Sequence, residues 1–379
     1  MGYRALSIVA STLVTLGFTV VACGGSDESG FGNPNDPNRQ DRNPGGEFGN
    51  PLAPGGVFAA CATSTADAAL TPANLVIMYD RSGSMGDPNN KPPFDPNLKW
   101  NPVGQGMTTF LSDPGSVTLN ASLQFFPVGE TIEEVCSYDY GKPGVTLTPL
   151  TQSNSFVDAI QKTKPQGGTP TLPALQGAIK YAKGIATQKP SDTTVVVLVT
   201  DGEPGISVDD RFSEGCTNND IPHVAAAARD ALRNTPSVRT YVIGVGPSLE
   251  KLDAIAVAGG TGQAMIVDVQ DPAKTTARFQ KALEQVRSQT LSCDFAIPPA
   301  PPGQSLDANL VNVVYASGGK YQVLDYSRDC ANGTGWRYDQ PTAPTKISLC
   351  PTSCSAAQSD RNGRLTLAFG CSTQGGVIK

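Results

Sequence analysis

Two apolar runs, Leu75-Val76-Ile77-Met78-Tyr79 and Val195-Val196-Val197-Leu198-Val199-Thr200, set the pattern of the chain. Each is continuous rather than alternating, and the first is bounded by Pro72 and Gly83, which is how a parallel strand covered on both faces reads. Around them strands and helices take turns. The periodicity predicts helices over about Val103–Leu111, around Phe156, Val157 and Ile160, and from Leu172 (with Leu175, Ile179, Ala182 and Ile185). Further helices are expected over His223–Leu232, Leu252–Val257 and Pro272–Val286. Strands are expected over Val117–Phe126, Val145–Leu150 (a shorter edge strand), Thr240–Val245 and Gln263–Val267. Such alternation implies an α/β fold, a doubly wound, mostly parallel sheet with helices on both faces.

After Cys293 the pattern changes. Pro298-Pro299-Ala300-Pro301-Pro302 is a stiff connector. Short β-like runs follow at Leu310–Tyr315, Tyr321–Tyr326, Lys346–Leu349 and Arg364–Phe369, punctuated by Gly, Pro and Cys as in a small disulfide-rich β module. Trp336 and Tyr338 are expected in its core rather than as a sugar-stacking platform. At the other end, Arg4 precedes an apolar stretch, Ala5–Ala22, diluted by Ser, Thr and Gly, which fits a cleaved export signal better than a permanent span. Val20-Val21-Ala22-Cys23 resembles a bacterial lipobox, which makes Cys23 the expected lipid-bearing residue. Gly24 rather than Asp after it points to the outer membrane. Gly24 to about Gly56 is a Gly/Asn/Asp/Pro spacer with a near-repeat (Phe31-Gly32-Asn33-Pro34 and Phe48-Gly49-Asn50-Pro51) and too few apolar groups to offset the entropy of ordering. A flexible spacer of this length has a root-mean-square span of about 30 Å. The expected organisation is a signal peptide (1–22), lipidated cysteine and linker (23–60), α/β domain (61–293) and β module (294–379).

The 379 residues carry a net charge of −6 with no basic tract, which argues against a nucleic-acid partner. Neither a phosphate-binding loop nor a dinucleotide fingerprint is present. Nine cysteines in an exported chain read as structural, and setting Cys23 aside leaves eight. Zinc ligation is disfavoured, because Cys350-x-x-x-Cys354 has no matching second pair.

The candidate chemistry sits where the two buried strands end. The first delivers Asp80-Arg81-Ser82-Gly83-Ser84 into a loop, and the second ends in Asp201-Gly202-Glu203-Pro204. Between them, Gly167-Gly168-Thr169-Pro170-Thr171 opens a helix and adds a hydroxyl. In open α/β sheets ligands bind at the carboxyl ends of the strands. Carboxylates with neutral hydroxyl oxygens are hard-ligand chemistry, suited to Mg²⁺, Mn²⁺ or Ca²⁺. This ordered set resembles the metal-ion-dependent adhesion site of von Willebrand factor type A domains, over about residues 70 to 290. The resemblance implies a VWA, Rossmann-like fold and a metal held by Asp80, Ser82, Ser84, Thr169 and Asp201. It also implies a clasp between Cys61 and Cys293 at the domain's two ends. Cys136 and Cys216, in loops on the ligand side, are paired in the same reading, which leaves Cys330, Cys350, Cys354 and Cys371 for the β module.

Asp80 and Asp201 supply at most two negative charges, so a cation coordinated in part through water keeps an open, Lewis-acidic position. The resemblance implies that an acidic residue of a partner protein completes the shell. The expected function is a lipid-tethered, divalent-metal-dependent protein-binding module of the cell envelope and not an enzyme. One alternative is a scaffold whose metal only ties the loops together. Another is a metal-assisted hydrolase, for which Glu203 is the one candidate base and Pro204 beside it suggests a turn. A Ser-His-Asp triad would need His223, the only histidine, which opens a helix far from any nucleophile elbow.

Overall fold

The computed structural model describes residues 50–53, 56–58, 64–68, 72–87, 89, 95–113, 116, 119–204, 215–297, 307–360 and 363–375. The expected signal peptide, Cys23, Cys61 and most of the spacer lie outside them. The chain first forms a short strand, β1 (Ser64–Ala68), and then β2 (Ala73–Asp80), in which every residue is buried. Strand β2 lies in the middle of a six-stranded sheet with β3 (Leu119–Phe126), β4 (Val145–Pro149), β5 (Thr193–Thr200), β6 (Arg239–Val245) and β7 (Met265–Val267). The order is β4-β3-β2-β5-β6-β7, parallel throughout except for β4 at the edge.

Both faces of the sheet are covered, which is why its strands read as unbroken apolar runs. Leu75, Ile77, Tyr79, Val195, Val197 and Val199 pack on one side against α1 (Trp100–Leu111), α3 (Asn154–Lys162) and α7 (Pro272–Thr290). Val76, Met78, Val196 and Leu198 pack on the other against α4 (Thr171–Gln188), α5 (Ile221–Arg233) and α6 (Asp253–Ala258). The chain runs outward from β2 to β3 and β4, then returns to place β5 on the other side of β2. The switch point of this doubly wound sheet therefore falls between β2 and β5, where such folds open a ligand crevice.

The remaining described strands build the β module. One antiparallel sheet has the order β1-β13-β9-β10, made by β9 (Val311–Ser317), β10 (Lys320–Leu324), β13 (Arg364–Phe369) and β1 from the far N-terminal side. The other has the order β11-β12-β8, with β8 (Asp294–Ala296), β11 (Trp336–Tyr338) and β12 (Lys346–Leu349). Trp336 is fully buried, donates from Nε1 to the Leu324 carbonyl at 2.9 Å, and packs with Tyr338, Phe295 and Leu367. These two aromatic residues are core, as their setting in the sequence implies. The end of the spacer is ordered: Asn50–Ala53 form a turn and Phe58, 1% exposed, packs with Val314, Ala368 and Cys371. Phe58 and Leu52 together anchor this end of the segment on the β module.

The disulfides correct one expectation. Cys293 is bonded to Cys354, so the clasp from Cys61 to Cys293 does not form. Cys354 lies on α8 (Pro351–Ser359), and Gln358 of the same helix donates to the Leu291 carbonyl just beyond α7 at 2.6 Å. Helix α8 therefore docks on the end of α7 and brings its cysteine to Cys293. Cys136 is bonded to Cys216 and Cys330 to Cys350, and Cys371 is also disulfide-bonded.

Candidate metal centre

Strands β2 and β5 are adjacent and parallel, so their carboxyl ends place Asp80 beside Thr200 and Asp201. Asp80 is fully buried. Its Oδ1 accepts from the Ser82 amide at 2.7 Å and its Oδ2 from the Thr200 hydroxyl at 2.5 Å. Burial pushes the Asp80 carboxyl up, to about 7, and the neighbouring Asp201 adds to the rise against the Thr200 and Ser82 hydrogen bonds. Tyr79 beneath it is raised as well, by burial first and then by Asp80 and Asp201. The end of β2 is thus a buried electronegative spot, unfavourable unless a cation or a proton offsets it.

Ser82 caps a short 3-10 turn, Gly83–Met85, which contains Ser84 and closes at Gly86 with φ +137°. A Cβ at Gly86 would sit 2.4 Å from the Pro96 Cα, so only glycine fits this turn against the following loop. The turn aims both hydroxyls at β5. Ser84 Oγ donates to Asp201 Oδ1 at 2.8 Å, Ser82 Oγ lies 3.4 Å from the same oxygen, and the two serine oxygens are 3.1 Å apart. Adjacent ligands of an octahedral Mg²⁺ with bonds of 2.0–2.1 Å are about 2.9 Å apart, so this triangle has the spacing of one coordination face. The donor set, hydroxyls and carboxylates, fits a hard divalent ion.

The second loop is stitched to the first. Gly83 N donates to the Gly167 carbonyl at 2.9 Å and Gln166 N to the Arg81 carbonyl at 2.6 Å. Thr169 then comes beside the third loop: a Cβ on Gly202 would lie 3.9 Å from Thr169 Oγ1. Of the five residues singled out from the sequence, Asp80, Ser82, Ser84 and Asp201 are joined by hydrogen bonds at the end of β2 and β5, and Thr169 lies beside Gly202, next to Asp201. Among the described residues no cluster of three His, Cys, Asp or Glu forms a site of the zinc type.

Three further residues shape this centre and no sequence pattern announced two of them. Asn219 accepts from Leu172 N at the start of α4 and donates to the Thr169 carbonyl, both at 2.9 Å, so it holds the second loop from a segment anchored by Cys136–Cys216. Lys99 forms an ion pair with Asp201, Nζ to Oδ2 2.6 Å, and donates to the Ser84 carbonyl at 3.3 Å. Thr200 was visible as the hydroxyl that ends a β-branched run, and its bond to Asp80 gives that position a purpose. The candidate bases are tied elsewhere. Glu203 is paired with Lys251 at 3.0 Å, and His223, exposed at the start of α5, is 2.7 Å from Asp220.

No protein-family model matches the chain, and no curated protein matches it. Several solved structures are similar. The pilus adhesin SpaC from Lactobacillus rhamnosus GG aligns over 79% of this chain at 12% identity and a TM-score of 0.43, and the chain spans 39% of that protein's length. The conserved hypothetical protein BatB from Bacteroides thetaiotaomicron covers 56% of the chain at 15% identity and a TM-score of 0.33, with 99% of its own length aligned. The vWF domain of the type V pili tip protein Mfa5 from Porphyromonas gingivalis covers 59% at 14% identity and a TM-score of 0.35, with 97% of its own length aligned. At these values the assignment of the fold rests on the strand order and packing of this chain itself: a doubly wound α/β sheet carrying a disulfide-rich β module.

Proposed function

We propose that the chain is an exported, lipid-anchored binding module that grips an acidic side chain of a partner protein through a divalent cation. Asp80, Ser82, Ser84, Thr169 and Asp201 would hold the ion. The observation that carries this reading is the Ser82–Ser84–Asp201 oxygen triangle, with edges of 2.8, 3.1 and 3.4 Å, set above a buried carboxylate. When bound, the ion supplies a Lewis-acidic position for a carboxylate oxygen of the partner. Asp201 and the two serines orient that position, and Asp80, held by Ser82 N and Thr200, contributes charge from beneath. Asp80 and Asp201 together carry at most two negative charges, so a divalent ion is matched without becoming over-neutralised, and an acidic partner remains attracted. Binding rather than catalysis is favoured because Glu203 and His223 are paired with Lys251 and Asp220. Export is favoured because all seven cysteines among the described residues are in disulfides, which persist in oxidising compartments. The anchor, at Cys23, and the outer-membrane location rest on the lipobox-like Val20-Val21-Ala22-Cys23-Gly24.

The test is capture of partners from an envelope extract by the immobilised full chain, in Mg²⁺ and in EDTA, with circular dichroism recorded in both. The expected result is one or more proteins retained in Mg²⁺ and released by EDTA while the fold persists. Retention that is indifferent to EDTA would favour the scaffold alternative and overturn the metal-dependent reading.

A further inference from the structure

Every residue assigned to the proposed metal site is neutral or negative, yet a positive charge stands among them. Lys99 Nζ is 2.6 Å from Asp201 Oδ2 while Ser84 Oγ occupies Oδ1 at 2.8 Å, so both oxygens of the carboxylate are engaged. The Asp201 side chain is fully buried and that of Lys99 is 21% exposed. The carboxylate is thus cut off from water, and the ammonium keeps a path back to it.

Nothing local favours a lysine here. Lys99 is the N-cap of α1, its side chain caps none of the helix amides, and a cation is disfavoured at a helix N-terminus. Its backbone is nevertheless fixed: Val103 N donates to the Lys99 carbonyl at 3.0 Å, and Trp100 stacks on Tyr79 with ring centroids 5.0 Å apart. Its stem runs beside Gly246 at the end of β6, where φ is +138° and a Cβ would lie 3.8 Å from Lys99 Cε.

We infer that Lys99 is a resident cation of the site, holding Asp201 and Ser84 together in the metal-free protein, and that a divalent ion enters only by displacing it. The inference rests on the metal-dependent reading above. The ammonium at Oδ2 and an ion beside Oδ1 would share one buried carboxylate and repel each other across it, so ammonium and metal occupy Asp201 in turn. Lysine suits this exchange, because its flexible four-carbon stem lets a compact charge swing out to solvent where a rigid arginine fork would not. The site is then loaded only where divalent ions are plentiful, and partner capture follows divalent concentration.

The experiment compares the full-length wild type with Lys99→Met, which keeps the stem and removes the charge, by calorimetric titration with Mg²⁺ and with Mn²⁺. Thermal melting in EDTA and in saturating Mg²⁺ accompanies it. Lys99→Met is expected to bind the ions at least about tenfold more tightly, equivalent to about 1.4 kcal/mol, to melt lower in EDTA, and to gain more from Mg²⁺ than the wild type. Equal affinities and equal melting in EDTA would overturn the role of Lys99 while leaving the metal site intact. Binding by Lys99→Met alone would uphold Lys99 as the occupant and reject metal-dependent capture by the native chain. No binding by either protein would overturn both.

Discussion

Replacing Asp80 by asparagine separates the charge of the site from its shape. The substitution is nearly isosteric: the amide oxygen still accepts from Ser82 N, and its NH₂ donates to Thr200 Oγ1, whose hydroxyl proton then turns from residue 80 to the Gly202 carbonyl 3.1 Å away. What disappears is a carboxyl that burial, with help from Asp201, pushes up to about 7. An unfolded aspartate titrates near 3.9, so between those two values the folded protein binds more protons than the unfolded one. Metal-free wild type therefore loses stability as pH rises through this window, by about 1.4 kcal/mol per unit and on the order of 4 kcal/mol in all. Asp80→Asn has no such slope. In EDTA the two proteins are expected to be equally stable near pH 4, with the variant gaining an advantage of a few kcal/mol by pH 8, read from urea midpoints. Mg²⁺ at pH 8 should narrow the gap, since an ion at about a hundred times its Kd adds about 2.7 kcal/mol to the wild type, and should close it at about a thousand times its Kd, where the gain is about 4.1 kcal/mol. A variant that is less stable than wild type by the same amount at every pH in EDTA would refute the reasoning, because Asp80 would then be held as a satisfied anion.

The other predictions follow from single contacts. Asn219→Ala removes two hydrogen bonds that tie the Thr169 loop to α4 and should cost about 1–3 kcal/mol in urea unfolding and weaken Mg²⁺ binding; unchanged values would mean the loop holds itself. Non-reducing peptide mapping should recover Cys136–Cys216, Cys293–Cys354 and Cys330–Cys350, whereas a peptide linking Cys61 to Cys293 would contradict the docking of α8. Opening Cys293–Cys354 by a double Ser substitution should cost about 4 kcal/mol, the chain-entropy value for cysteines 61 residues apart. Cys23→Ser should move the protein out of the membrane fraction, and unchanged fractionation would reject the lipid anchor.

The sheet was readable because β2 and β5 are buried on both faces, and unbroken apolar runs ending in aspartate admit few other readings. Helices α1, α5 and α7 were placed to within a few residues for a related reason: each buries one stripe and its period shows. Strand β1 was not readable, because Ser64–Ala68 has no alternation of its own and owes its form to β13, three hundred residues away. Helix α2 (Ile132–Ser137) was missed although its signal was present. Thr131 and Glu134 form a capping box, the Thr131 hydroxyl accepting from Glu134 N at 3.2 Å, but the helix is too short to show a period. Helix α8 carried a signal too, Pro351 in its first turn, in a segment read as short β runs punctuated by Gly, Pro and Cys. The expected clasp at Cys293 failed because connectivity depends on how α8 docks, a tertiary fact that spacing does not encode. The five proposed ligands stood out as a set in the sequence since each stands at or near a strand or helix end. Lys99 and Asn219 did not, since each acts through one side chain reaching across from a loop with no motif around it.

The most direct measurement of the central claim is anomalous diffraction from crystals of the chain grown with Mn²⁺. One Mn²⁺ peak is expected, bounded by Ser82 Oγ, Ser84 Oγ and an Asp201 oxygen, with Lys99 turned away from Asp201. A map with no peak there, and the Lys99–Asp201 pair intact at saturating Mn²⁺, would contradict it.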